Sequence, residues 1–130
     1  MPKVKPLPRG VAMVGAGMSK FGAFAEKNSR DLFVESYKAM TKSVDKGFDP
    51  SRIDAMYVGN FSSDQFEHQA HIAPILADAV GLLPIPATRV EDACASGGVA
   101  LRQGVMAIAS GMADVVLVGG AEKMTALNTA

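Results

Sequence analysis

An α/β fold with a mostly parallel sheet, covered on both faces, is what this 130-residue sequence predicts. Three observations carry the expectation. Segments of helical period alternate with short apolar runs in the order strand, helix, strand, helix, strand, helix, strand. Each intervening helix makes the connection a right-handed crossover between parallel strands rather than a hairpin. Finally, Asp114-Val115-Val116-Leu117-Val118 is apolar without alternation, as a strand buried on both faces should be.

Taken in order, Met1 to Arg9 holds three prolines and three basic residues and reads as a loose lead-in. Gly10-Val11-Ala12-Met13-Val14-Gly15 is a small-residue strand. The Ala16-Gly17-Met18-Ser19-Lys20 that follows resembles a dinucleotide-binding loop only in part, because Lys20 stands at the third glycine position and no helix follows directly. It reads as a glycine-rich strand exit. Asn28 or Ser29 caps a helix reaching about Lys46, with Asp31 in its first turn and Phe33, Tyr37, Met40 and Val44 as its buried stripe. Gly47 ends that helix, and Ile53 to Gly59 forms the second strand. Asn60 to Gln69 is a polar loop of a length that suggests function or an interface. His68 and His71 fall at its end, but no third ligand is spaced with them, so no metal site is expected. The next helix carries Pro74 near its start, a stripe of Ile72, Ile75, Leu76, Ala79 and Val80, and Gly81 at its end. Leu82 to Pro86 is a stiff connector to a strand at Thr88 to Glu91.

Composition narrows the function classes. Thirteen basic and thirteen acidic side chains leave no net charge, so neither nucleic acid nor an anionic membrane is expected as a partner. One cysteine excludes an internal disulfide framework and fits a reducing, cytoplasmic compartment. No run approaches the ~20 apolar residues of a membrane span, and the lead-in lacks the apolar core of a signal peptide. Eight methionines at roughly helical spacing read as core filler.

The single cysteine, Cys94, is the candidate nucleophile. It lies in the small-residue turn Ala93-Cys94-Ala95-Ser96-Gly97-Gly98, between a strand end and a helix running to Ser110, closed by Gly111. The helix is apolar nearly all round and should be buried on most sides. Unpaired N–H groups at a helix start favour a thiolate and can hold a developing oxyanion. No bulky neighbour blocks an electrophile. Open α/β sheets also set their sites past the carboxyl ends of strands, where this turn falls.

The register Val90-Glu91-Asp92-Ala93-Cys94-Ala95-Ser96-Gly97-Gly98, then Leu101-Arg102, then Asp114-Val115-Val116-Leu117-Val118-Gly119-Gly120-Ala121-Glu122-Lys123-Met124-Thr125, resembles the thiolase family. The likeness is strongest to its sterol-carrier-protein type and archaeal acetyl-CoA acetyltransferase relatives. It implies that residues 1–130 are the first part of a two-domain, five-layer, usually dimeric subunit. It implies that Cys94 accepts an acyl group from a coenzyme A thioester, which is a substrate and not a bound cofactor, for Claisen condensation or its reversal. The family's Gly-His-Pro histidine, second cysteine and asparagine-glutamate motif have no match here, and neither His68 nor His71 precedes a proline. The acid/base groups are therefore expected from another segment or a second chain. Residues contacting coenzyme A are not assigned, since in the family they come mainly from later segments. The alternatives are a non-catalytic interaction module with an inert Cys94, and a relative of the same fold that cleaves β-hydroxyacyl substrates or handles lipids.

Overall fold

The computed structural model describes residues 5–125, so the first four residues of the basic lead-in lie outside the described residues. The elements are α1 (Ser29–Ser43), β1 (Ala55–Gly59), α2 (Ser63–Phe66), α3 (Ile72–Ala79), β2 (Ala87–Val90), α4 (Ser96–Ala109) and β3 (Val116–Gly120). Short 3-10 turns precede β1 at Pro50–Arg52 and α4 at Ala93–Ala95. The strands form a fully parallel sheet in the order β2-β1-β3, with Met56 opposite Ala87 and Leu117. The α/β class and the parallel crossovers are as expected.

The two faces are built differently. Met56 and Val58 of β1 point to one face, where they join Phe33 of α1 and Ile72, Ala73, Leu76 and Ala77 of α3 in the hydrophobic core. Met56 and Leu76 are fully enclosed, and each such side chain contributes about 1.5–3 kcal/mol of burial free energy. The opposite face carries α4. Gly104 lies against the Val116 and Val118 side chains, and Gly59 lies against the backbone of Ser96 and Gly97. The result is three layers, α1 and α3 on one side of the sheet and α4 on the other.

Helix α1 starts at a reciprocal cap: the Asn28 side chain accepts from the Asp31 N–H at 3.1 Å, and the Asp31 carboxylate accepts from the Asn28 N–H at 3.0 Å. It stops at Ser43 rather than Lys46, because Val44 has already turned to extended backbone. Gly47, Gly81 and Gly111, expected after their helices, all have positive φ.

Several expectations are corrected. Residues 10–15 form no strand. Both edges of β1 are taken by β2 and β3, and the segment lies along α1 instead, with the Ala16 N–H donating to Ser43 Oγ at 2.9 Å and Gly17 pressed on the backbone of Ser36 and Met40. The described sheet therefore has three strands, not four. The run at 114–118 is not buried on both faces: β3 begins later, at Val116, and is half-buried as an edge strand. Helix α4 is not buried on most sides: it buries the stripe Ser96, Ala100, Gly104 and Ala107, with Ala109 at its end, and leaves Leu101 and Met106 exposed. The polar loop at 60–69 contains α2. In α3 the buried face is Ile72, Ala73, Leu76 and Ala77, so Ile75 and Ala79 are at its margin. The methionines are not mainly core filler: Met56 is enclosed, but Met13, Met18, Met106, Met112 and Met124 are exposed, since among the described residues nothing packs over them.

Candidate active site

Cys94 is exposed, in the middle of the 3-10 turn that connects β2 to α4 at the carboxyl end of the sheet. The turn is held by its own hydrogen bonds. The Asp92 N–H donates to Ser96 Oγ at 2.8 Å, and the Ser96 hydroxyl donates to the Ala93 carbonyl at 2.7 Å. The Ala95 N–H donates to the Asp92 carbonyl at 2.8 Å, and the Ala93 N–H to the Glu91 carboxylate at 2.6 Å. Ala93, directly before the thiol, has φ +45°. No side chain caps α4, in contrast to α1. The start of α4 at Ser96, two residues after Cys94, therefore keeps N–H groups without a side-chain acceptor, a backbone setting that favours nearby negative charge.

The next stretch of chain to converge on this end of the sheet is the segment after β1. Arg89 of β2 donates to the Asn60 carbonyl at 3.1 Å, to the Phe61 carbonyl at 2.7 Å and to the Asp64 carboxylate at 3.1 Å. Glu122, just past β3, accepts from the N–H groups of Phe61 at 2.8 Å and Ser62 at 3.0 Å, from Ser62 Oγ at 2.9 Å and from Asn60 Nδ2 at 3.2 Å. Charge-assisted bonds of this kind are worth roughly 1.5–3 kcal/mol each where they are shielded from water. Asn60 and Ser62 are each 1% exposed, so the segment is fixed.

Of the residues singled out from sequence, Cys94 is where the strand-turn-helix reading put it. Of the two histidines, His71 precedes α3 and His68 follows α2 with φ +54°, both exposed. Among the described residues no three His, Cys, Asp or Glu side chains group in a way that could hold a metal. No helix there is long and apolar enough to cross a membrane. Sequence reasoning placed Ser96 in the Cys94 turn, Asn60 in the polar loop and Glu122 in the family-like register, but gave none of them, nor Arg89, a role in holding this region. An arginine inside a short strand is the one signal that could have pointed to it, since a charge on a small sheet needs a partner.

Comparison with known proteins agrees with this geometry. The family model described as thiolase, N-terminal domain, matches residues 11–130. The acetyl-CoA acetyltransferase of Methanocaldococcus jannaschii is 55% identical over 118 residues, covering 90% of this chain and 29% of the relative. That of Methanothermobacter thermautotrophicus is 49% identical over 117 residues, covering 90% and 30%. Sterol carrier protein 2 of Oryctolagus cuniculus is 33% identical over 123 residues, covering 94% and 22%. The chain therefore spans under a third of the length of these relatives. With the match running through the Cys94 turn and both flanking strands, the chain belongs to the thiolase family, through its N-terminal domain.

Proposed function

We propose that this chain provides the nucleophile of a thiolase-type acyltransferase, with Cys94 as the residue that becomes acylated. The observation that carries the reading is the exposed thiol in a rigid turn of small residues ahead of an uncapped helix at the carboxyl end of a parallel sheet. The similarity to two acetyl-CoA acetyltransferases supports an acyl-CoA as substrate. In the first step the Cys94 thiolate attacks the thioester carbonyl, the carbon–sulfur bond to coenzyme A breaks, and coenzyme A leaves as a thiolate that takes up a proton. The product is an S-acyl cysteine. In the second, the α-carbon of another acyl-CoA, after losing a proton to a base, attacks that acyl carbon and releases Cys94 again. Splitting the transfer through a covalent intermediate replaces one difficult step with two easier ones.

The base for the second step, and the groups that hold coenzyme A, belong in this reading to a remainder of the protein beyond residues 1–130 or to a second chain. The small share of the relatives' length that is covered supports this. The chain is then the opening part of a two-domain subunit that works as an oligomer.

The test is to incubate the full-length protein with acetyl-CoA and measure intact mass. One acetyl adduct is expected, mapping to Cys94 and absent in Cys94→Ala, with acyl transfer lost in both Cys94→Ala and Cys94→Ser. Undiminished turnover in Cys94→Ala would sink the proposal.

A further inference from the structure

Between β1 and α4 there is almost no space. A Cβ built on Gly59 would lie 2.6 Å from the Gly97 nitrogen and 2.6 Å from the Ser96 carbonyl carbon, so the last residue of β1 touches the first turn of α4 backbone to backbone. Cys94 is carried by the turn that leads into that contact. Whatever fixes the end of β1 therefore fixes the platform of the thiol. The residues following Gly59 are gripped from both sides. Arg89 of β2 binds their carbonyls, while Glu122 after β3 binds their amides and the side chains of Asn60 and Ser62. Asn60 Nδ2 also donates to the Ala121 carbonyl at 2.8 Å, and the Asn60 N–H donates to the Val90 carbonyl at 3.1 Å. Both edge strands are thereby tied through this one segment to the central strand.

We propose that Glu122 is a positioning residue for Cys94: its carboxylate fixes residues 60–62, and these hold Gly59 against the first turn of α4. The chemistry of the grip demands a carboxylate. Its two oxygens accept from four donors and offer no proton of their own, whereas an amide in the same place turns an N–H₂ toward N–H groups already pointing at it. The catalytic consequence rests on the acyl-transfer reading above, but the mechanical one does not.

The experiment uses the full-length protein and its Glu122→Gln and Glu122→Asp variants, with two readouts. One is the single-turnover rate of acetyl-adduct formation on Cys94 across acetyl-CoA concentrations. The other is the rate of iodoacetamide modification of Cys94, read on the tryptic peptide spanning residues 90–102. In Glu122→Gln the saturating acetylation rate is expected to fall about tenfold while the half-saturating concentration stays put. Alkylation should slow in step, and Glu122→Asp, which keeps the charge, should restore part of both. Wild-type rates in Glu122→Gln overturn the proposal, as does a loss that Glu122→Asp does not relieve. If the wild type forms no adduct, the acyl-transfer reading fails, and the positioning role is judged on alkylation alone. Should Glu122→Gln not fold, Ser62→Ala removes one donor and keeps the others; a fall of about threefold supports the role, and an unchanged rate refutes it.

Discussion

Ala93 is a residue under strain. At φ +45° its Cβ crowds the following carbonyl, a conformation that costs an L-residue about 1–2 kcal/mol. The Glu91 carboxylate on its N–H and the Ser96 hydroxyl on its carbonyl hold it there. Strain of this kind persists where the surroundings over-determine the backbone, and it stands directly before the thiol. Ala93→Gly removes the Cβ penalty but frees the unfolded chain, so a net gain of about 0.5–1 kcal/mol is expected, read as a higher denaturant midpoint. Ala93→Val should lower that midpoint. The sequence could not reveal this position, because alanine is no marker of left-handed backbone. Ser96 was equally opaque: in a run of small residues it reads as one more, yet its hydroxyl is both donor and acceptor for the turn.

At the scale of elements, glycines set how closely α4 lies on the sheet. Gly59→Ala puts a methyl into backbone atoms of Ser96 and Gly97 that have nowhere to go, and a loss of about 1–3 kcal/mol is expected. Urea unfolding should show it as a lower midpoint at unchanged slope. Gly104→Ala instead meets Val118 Cγ2 at 2.6 Å, a side-chain atom able to rotate, so its loss should be the smaller of the two. The slimness of α4 was legible, since Gly97, Gly98, Ala100, Gly104 and Ala107 are written in the sequence. Which side it buries was not. An all-apolar helix gives no contrast between faces, so the exposure of Leu101 and Met106 could not be read from it. The 10–15 segment misled for a related reason. Small apolar residues suit a strand, but a strand also needs a free ladder edge, and a single segment does not say whether one exists. By contrast, α1 and α3 carried both period and stop signals, and were found within a few residues of their expected limits.

Across the whole molecule, the charges balance in number, and aspartates secure several of the connections. Backbone N–H groups of Val115 and Asp114 hold the Asp54 carboxyl below its ordinary range, tying the approach to β3 onto the approach to β1. The bond to Arg89 does the same for Asp64, and the bonds from Ser51 do it for Asp49. Because these values are lowered on folding, the stability they add is fully present above the ordinary aspartate value of 3.8 and is lost as pH falls through the lower, folded values. Asp54→Asn should therefore flatten the acid side of the stability profile, measured by thermal melting at stepped pH, with a smaller difference from wild type at low pH than at neutral pH. The strand order has a consequence in time as well as in space. The middle strand, β1, is made first by the ribosome, and its partners are added on opposite sides. The registers put β3 about twice as far along the chain from β1 as β2. Doubling a loop adds about 0.6 kcal/mol of closure entropy, so the β1–β2 pair has the advantage in assembling first. In that order the contact of Gly59 with Ser96 and Gly97, next to the turn that bears the thiol, closes only when α4 packs on a β1 already paired with β2.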